Sequence, residues 1–114
     1  MQQAQAWCAA WNRRDLEAVL AHYAEDVELR SPFVVQRLGH ADGWLRGKAA
    51  LRDYFALGMA KPTLHFAFVD VLLGVGAVTV LYRRETGALA ADTMTLGADG
   101  RAIQVVACYG PAEG

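Results

Sequence analysis

The second half of this chain is a succession of strand-forming runs with only turn-length pieces between them, which leaves few ways to fold it. The runs are residues 64–73, 77–85, 89–96 and 102–110. Between them stand Gly74-Val75-Gly76, Thr86-Gly87 and Gly97-Ala98-Asp99-Gly100. The second run is dense in β-branched and aromatic residues, the types that fit a pleated surface. Asp99-Gly100 is a dipeptide favoured in hairpins. Runs joined this closely predict an antiparallel meander.

The first half has a different period. Trp7, Ala10 and Trp11 share one face of a helix expected over residues 2–12. Asp15 is a natural N-cap, because its carboxylate can accept the free amides of the next turn. Leu16, Val19, Leu20 and Tyr23 then recur at i, i+3, i+4 and i+7, predicting a second, short amphipathic helix. Residues 27–30 alternate as a short strand, and Ser31-Pro32 ends it. Residues 33–44 contain Gly39, His40, Asp42 and Gly43 and read as a loop. A third helix is expected over 48–59, with Leu51, Tyr54, Phe55 and Gly58 on its apolar face, stopped at Lys61-Pro62. Helices first and a meander after is the α+β pattern, here a single domain over residues 1–114. A curved antiparallel sheet wrapped around N-terminal helices makes a cone with a cavity. Its outer face needs cover, and a homodimer is the expected cover.

Composition narrows the function classes. Of the 114 residues, 54% are hydrophobic, enough for a core with apolar surface left for a pocket or a partner. The net charge is −1, with both signs interspersed, so neither a nucleic-acid stripe nor a lipid-binding basic run is present. Cys8 and Cys108 are too few for a disulfide framework and wrongly spaced for zinc. The first residues lack the basic head and apolar run of a secretion signal, and no apolar run reaches membrane-spanning length. A cytoplasmic location is expected.

Asp92 is the sharpest candidate for chemistry. It lies in a run with a buried face, where a carboxylate must be solvated, paired or protonated. Either it is a pocket acid, or it points outward and pairs with Arg83 or Arg84. His65, at the start of its run, is a possible base or a packed structural residue. His22 and His40 read as solvated, and Asp26 as a turn residue. Tyr23, Tyr54, Tyr82 and Tyr109 can supply hydroxyls to a ligand or simply pack. Trp44 is a candidate lid or dimer anchor. Trp7, Phe33 and Phe55 either line the cavity or fill it. No metal-ligand spacing, phosphate-cradling loop or Gly-x-Ser-x-Gly elbow occurs, so neither metal nor organic cofactor is expected.

Several segments in order carry a resemblance. They are Trp11-Asn12-Arg13-Arg14-Asp15-Leu16-Glu17-Ala18-Val19-Leu20, Tyr23-Ala24-Glu25-Asp26-Val27, Ser31-Pro32-Phe33, Arg46-Gly47-Lys48-Ala49-Ala50-Leu51, Asp92-Thr93-Met94-Thr95-Leu96, Asp99-Gly100-Arg101 and Ala107-Cys108-Tyr109. Together the chain resembles the SnoaL-like branch of the nuclear transport factor 2-like superfamily. That likeness implies the cone-shaped α+β fold. The segment 92–109 is most similar to ketosteroid isomerase, which implies Asp92 as a protonated acid donating to an enolate oxygen. It also implies Met94, Val105, Ala107 and Tyr109 as pocket lining, since alternate residues share a face. Where the isomerases carry an aspartate base before a proline, this chain has Ser31. Where they carry a tyrosine on the first helix, it has Trp7. A serine hydroxyl is too weak a base to take a carbon-bound proton unaided. Limonene epoxide hydrolases use an Asp-Arg-Asp trio, which here would need Asp26, Arg84 and Asp92 to converge.

Two functional expectations follow. One is a pocket for a small, mostly apolar molecule bearing a carbonyl or hydroxyl. Isomerase, cyclase or dehydratase chemistry there would use Asp92 as the acid and His65 or a bound water to move the proton. The alternative is a non-catalytic dimeric binding or association module whose pocket is vestigial.

Overall fold

A computed structural model describes residues 2–111. Two helices open it, α1 (Gln2–Asn12) and α2 (Leu16–Leu20). Asp15 caps α2 as expected, its Oδ1 accepting from the Ala18 amide at 3.1 Å. Arg14, between the helices, takes a left-handed φ of 59°. Its guanidinium donates to the carbonyls of Asn12, Lys61 and Pro62, contacts that hold a conformation most L-residues avoid.

Helix α2 is shorter than its periodicity suggests. Tyr23 is not on its face but is the first residue of β1 (Tyr23–Arg30). An apolar side chain at i+7 of a helix and one opening a strand look alike in sequence. A second correction concerns the expected loop. Residues Pro32–Leu38 form α3, and Trp44–Arg46 form a short strand, β2. Ser31 caps α3, its Oγ accepting from the Phe33 amide at 3.2 Å; Pro32 occupies the first turn, and Gly39 closes the helix at φ 72°. Helix α4 (Lys48–Met59) buries Leu51, Tyr54, Phe55 and Gly58, as its period requires.

The meander follows as β3 (Ala67–Gly74), β4 (Ala77–Arg83), β5 (Leu89–Leu96) and β6 (Ala102–Tyr109). The first of these starts three residues later than its apolar run. Residues 64–66 approach it as an irregular segment, tied down by the Asn12 side chain at Phe66. The six strands form one curved, unclosed sheet in the order β2-β1-β6-β5-β4-β3. It is not wholly antiparallel, because β1 and β6 run parallel, with Leu29 opposite Val105. The chain between them includes α3, β2, α4 and three strands, so hairpin geometry does not constrain that pair. Register shifts at Tyr23/Glu28, Phe68/Asp70 and Thr95/Leu96 bend the sheet.

The inner face of the sheet packs an aromatic core. Phe66 stacks on Tyr82 with centroids 4.5 Å apart, and Trp11 meets Phe55 edge-on at 4.8 Å. The outer face leaves Leu72, Thr93, Val106 and Cys108 exposed. Cys8 is buried and Cys108 exposed, both as free thiols. Among the described residues, no helix is long and apolar enough to cross a membrane.

Candidate functional site

Strand alternation decides where Asp92 points. In β5 Ala90, Asp92 and Met94 face inward while Leu89, Thr93 and Thr95 face out. Asp92 is 5% exposed. On the neighbouring strand Tyr82 pairs with Ala90 and Val80 with Asp92, so Tyr82 and Asp92 are diagonal neighbours on the inner face. The Tyr82 hydroxyl donates to Asp92 Oδ1 at 2.8 Å. Burial pushes the Asp92 carboxyl up to about 6, although the Tyr82 hydrogen bond and the positive charge of Arg84 both pull it down. Burial, followed by the charge of Asp92, raises the phenols of Tyr82 and Tyr109. The outward reading of Asp92 is therefore set aside.

Asp92 borders a cavity of about 40 Å³. Tyr82, Ala107, Tyr109, Trp7, Phe33, Tyr54 and Phe55 border it too, so most of the expected lining does converge. Room of this size holds roughly two or three waters, or one small polar group. Phe33, Arg84 and Tyr109 are half-buried and Arg37 is exposed, which places the mouth on their side.

Four expected site residues lie elsewhere. His65 is exposed, because the buried neighbours Leu64 and Phe66 take the inward positions. Its amide donates to Glu85 Oε1 at 3.3 Å, and its imidazole does not border the Asp92 cavity. Met94 borders a second cavity of about 160 Å³, with Val71, Val78, Val80 and Leu96. Trp7 borders both cavities and so separates them. Tyr23 and Val105 are wholly buried and border neither; the Tyr23 hydroxyl accepts the Trp7 indole N–H at 2.9 Å. His22 stands beside the second cavity, its imidazole pulled down by burial. His40 and Asp26 are exposed, so the Asp-Arg-Asp trio does not form. Trp44 borders neither of the two inner cavities; Arg30 and Arg46 stack on it.

The structure gives Arg84 a place that neither the outward pairing nor the Asp-Arg-Asp trio describes, and adds Arg37. Arg84 lies against three rings, 5.1 Å from the Phe66 centroid, 5.7 Å from Phe33 and 5.8 Å from Tyr109. Its Nε and one terminal nitrogen engage Glu85 at 3.1 and 3.3 Å. Burial alone would raise the Glu85 carboxyl, but hydrogen bonds from Lys61 and Arg84 outweigh it and lower it to about 2. Arg37 stacks on Phe33 at 5.0 Å. The available signal was parity: Arg84 is two residues beyond the inward Tyr82. Ser31 is buried in the cavity wall, with the Tyr54 hydroxyl a long 3.5 Å from its Oγ. The buried indole N–H of Trp11 has no acceptor among the described residues. No group of His, Cys, Asp or Glu among the described residues could hold a metal ion.

The model of the SnoaL-like domain matches residues 4–109. The chain belongs to the SnoaL-like family. A SnoaL-like protein of unknown function from Burkholderia thailandensis is 38% identical, with 96% of this chain and 92% of that one covered and a TM-score of 0.92. A proposed polyketide cyclase from Sinorhizobium meliloti shares the fold at 11% identity, covering 95% and 94%, with a TM-score of 0.75. A proposed ketosteroid isomerase from Kribbella flavida does so at 18% identity, covering 99% and 78%, with a TM-score of 0.70. No curated protein sequence matches. In this SnoaL-like protein the Ser31 Oγ accepts an amide at a helix start and the Trp7 indole N–H is committed to Tyr23.

Proposed function

We propose that the protein binds a small, mostly apolar molecule through a carbonyl or hydroxyl oxygen presented to Asp92. The observation carrying this reading is the desolvated carboxyl beside a cavity. Tyr82 occupies Oδ1, which leaves Oδ2 as the seat of a proton. Below about pH 6 the neutral carboxylic acid there donates to a ligand oxygen and stabilises negative charge developing on it. Isomerase, cyclase or dehydratase chemistry would use Asp92 in this way, with a bound water moving the second proton. His65 is not part of this proposal, since it faces solvent.

A non-catalytic binding or association module is the second reading. The small cavity supports it, with Trp7, Phe33 and Phe55 all in the wall. Thermal-shift screening of phenols, cyclic ketones and terpenoids, followed by carboxyl NMR of Asp92, separates the two. Ligands that stabilise the fold and move the Asp92 resonance support the pocket. A screen without any stabilising ligand sinks it and leaves the module.

We also propose a homodimer through the outer sheet face. Leu72 and Val106 stand exposed there among acids and bases such as Glu28, Asp70 and Arg30, so two copies meet without an excess of like charge.

A further inference from the structure

We infer that the ligand carries a carboxylate, read by Arg84 and Arg37 at the mouth of the Asp92 cavity. This rests on the binding reading above and narrows its ligand class. Both guanidinium groups lie within 6 Å of one ring, Phe33, at 5.7 and 5.0 Å from its centroid. Both border the same cavity as Asp92. The Arg84 side chain is 9% exposed and held on three rings. Glu85 takes its Nε edge, so the guanidinium cannot swing away. That leaves the other terminal nitrogen, Nη1, without a partner among the described residues. Nη1 and the second N–H of Nη2 together form the edge turned away from Glu85, and that planar fork suits a carboxylate.

Charge balance points the same way. Glu85 is shared between Arg84 and Lys61, whose Nζ lies 2.7 Å from its Oε2. Arg37 has no carboxylate partner among the described residues. With Asp92 protonated, below about pH 6, the mouth therefore keeps uncompensated positive charge, in a protein whose overall charge is −1. The cavity also suits the group: about 40 Å³ admits a carboxylate but not an aromatic ring. The apolar body of the ligand then lies over Phe33 and Tyr109, whose rings sit 4.6 Å apart.

The test compares 2-naphthoate with its neutral isostere 2-naphthamide, titrated into the full chain at pH 5.5 and followed by amide and carboxyl NMR. Low pH keeps a negative Asp92 from opposing the anion. The expected result is about tenfold or stronger preference for the carboxylate, the range of a charge-assisted hydrogen bond. Arg37→Gln, on an exposed helix surface, should reduce that preference several-fold. Arg84→Lys should reduce it while keeping the charge, because the fork is lost. Equal binding of acid and amide overturns the carboxylate inference and leaves the pocket standing. Binding of neither, with the Asp92 resonance unmoved, overturns both.

Discussion

Asn12 and Phe66 exchange two hydrogen bonds across 54 residues of sequence: the side-chain amide donates to the Phe66 carbonyl at 2.9 Å, and the Phe66 amide donates back to Oδ1 at 2.8 Å. The Asn12 side chain thus stands in for a strand partner where β3 has not yet begun. It fixes the segment that carries Phe66, the ring stacked on Tyr82, which in turn holds Asp92. Asn12→Ala leaves both backbone groups without their partner and should destabilise the fold by about 2 kcal/mol. Urea unfolding reads this directly; a loss under half that size would mean water replaces the amide freely.

Asp92 makes the fold less stable at neutral pH. Its carboxyl rises from 3.8 to about 6 on folding, so the folded state holds the proton more tightly than the unfolded chain. Stability therefore falls as pH rises from about 4 to 6, by roughly 3 kcal/mol for two pKa units. Glu85 acts in the opposite sense. Lowered to about 2, it stabilises the fold above its ordinary value near 4.5 and loses that contribution as pH falls toward 2. Asp92→Asn should raise stability at pH 7.5 by up to about 3 kcal/mol and flatten the profile between pH 4 and 6. Denaturation series at several pH values check both; a variant less stable than the parent at pH 7.5 contradicts the desolvation account.

Tyr82→Phe keeps the stacked ring and removes the donor. Since the hydrogen bond pulls the Asp92 carboxyl down, its loss should move that carboxyl further above 6. Carbon-detected NMR of the carboxyl follows it. An unchanged or lower midpoint would show that Tyr82 does not hold the ionised form.

Trp7 is the wall between the two cavities, and its N–H satisfies the buried Tyr23 hydroxyl. Trp7→Ala should join them and cost about 3–5 kcal/mol. Trp7→Phe, which keeps most of the wall but strands the hydroxyl, should cost about 1–3 kcal/mol. Xenon-induced shifts at Met94 and Ala107 in the alanine variant would report the joined space. Shifts confined to Met94 would show that the wall closes by collapse.

Val106→Asp on the outer sheet face tests the dimer. Size-exclusion with light scattering should give twice the mass of the 114-residue chain, and half of that for the variant. A parent monomer at high concentration removes the proposal.

Hairpin dipeptides, the Asp15 cap and the apolar faces of α1 and α4 were legible because each is a local signal. The α3 signals were equally local. Ser31, Pro32 and Gly39 are a cap, a first-turn proline and a left-handed stop. Glycines and polar residues around them gave the whole stretch the look of a loop. His65 could be placed only by knowing that Leu64 and Phe66 both turn inward before the strand starts.

By itself the sequence determined the order of helices and strands, the closeness of the hairpins and the suspicion attached to a carboxylate in an apolar run. Periodicity and turn chemistry act between near neighbours, so they are written locally. Tertiary structure alone decided that β6 returns parallel to β1, that Arg84 lies in a cage of three rings, and that Trp7 parts one cavity from another. Those relations join side chains far apart in the chain, and only the bending of the sheet around α1 and α4 brings them within reach.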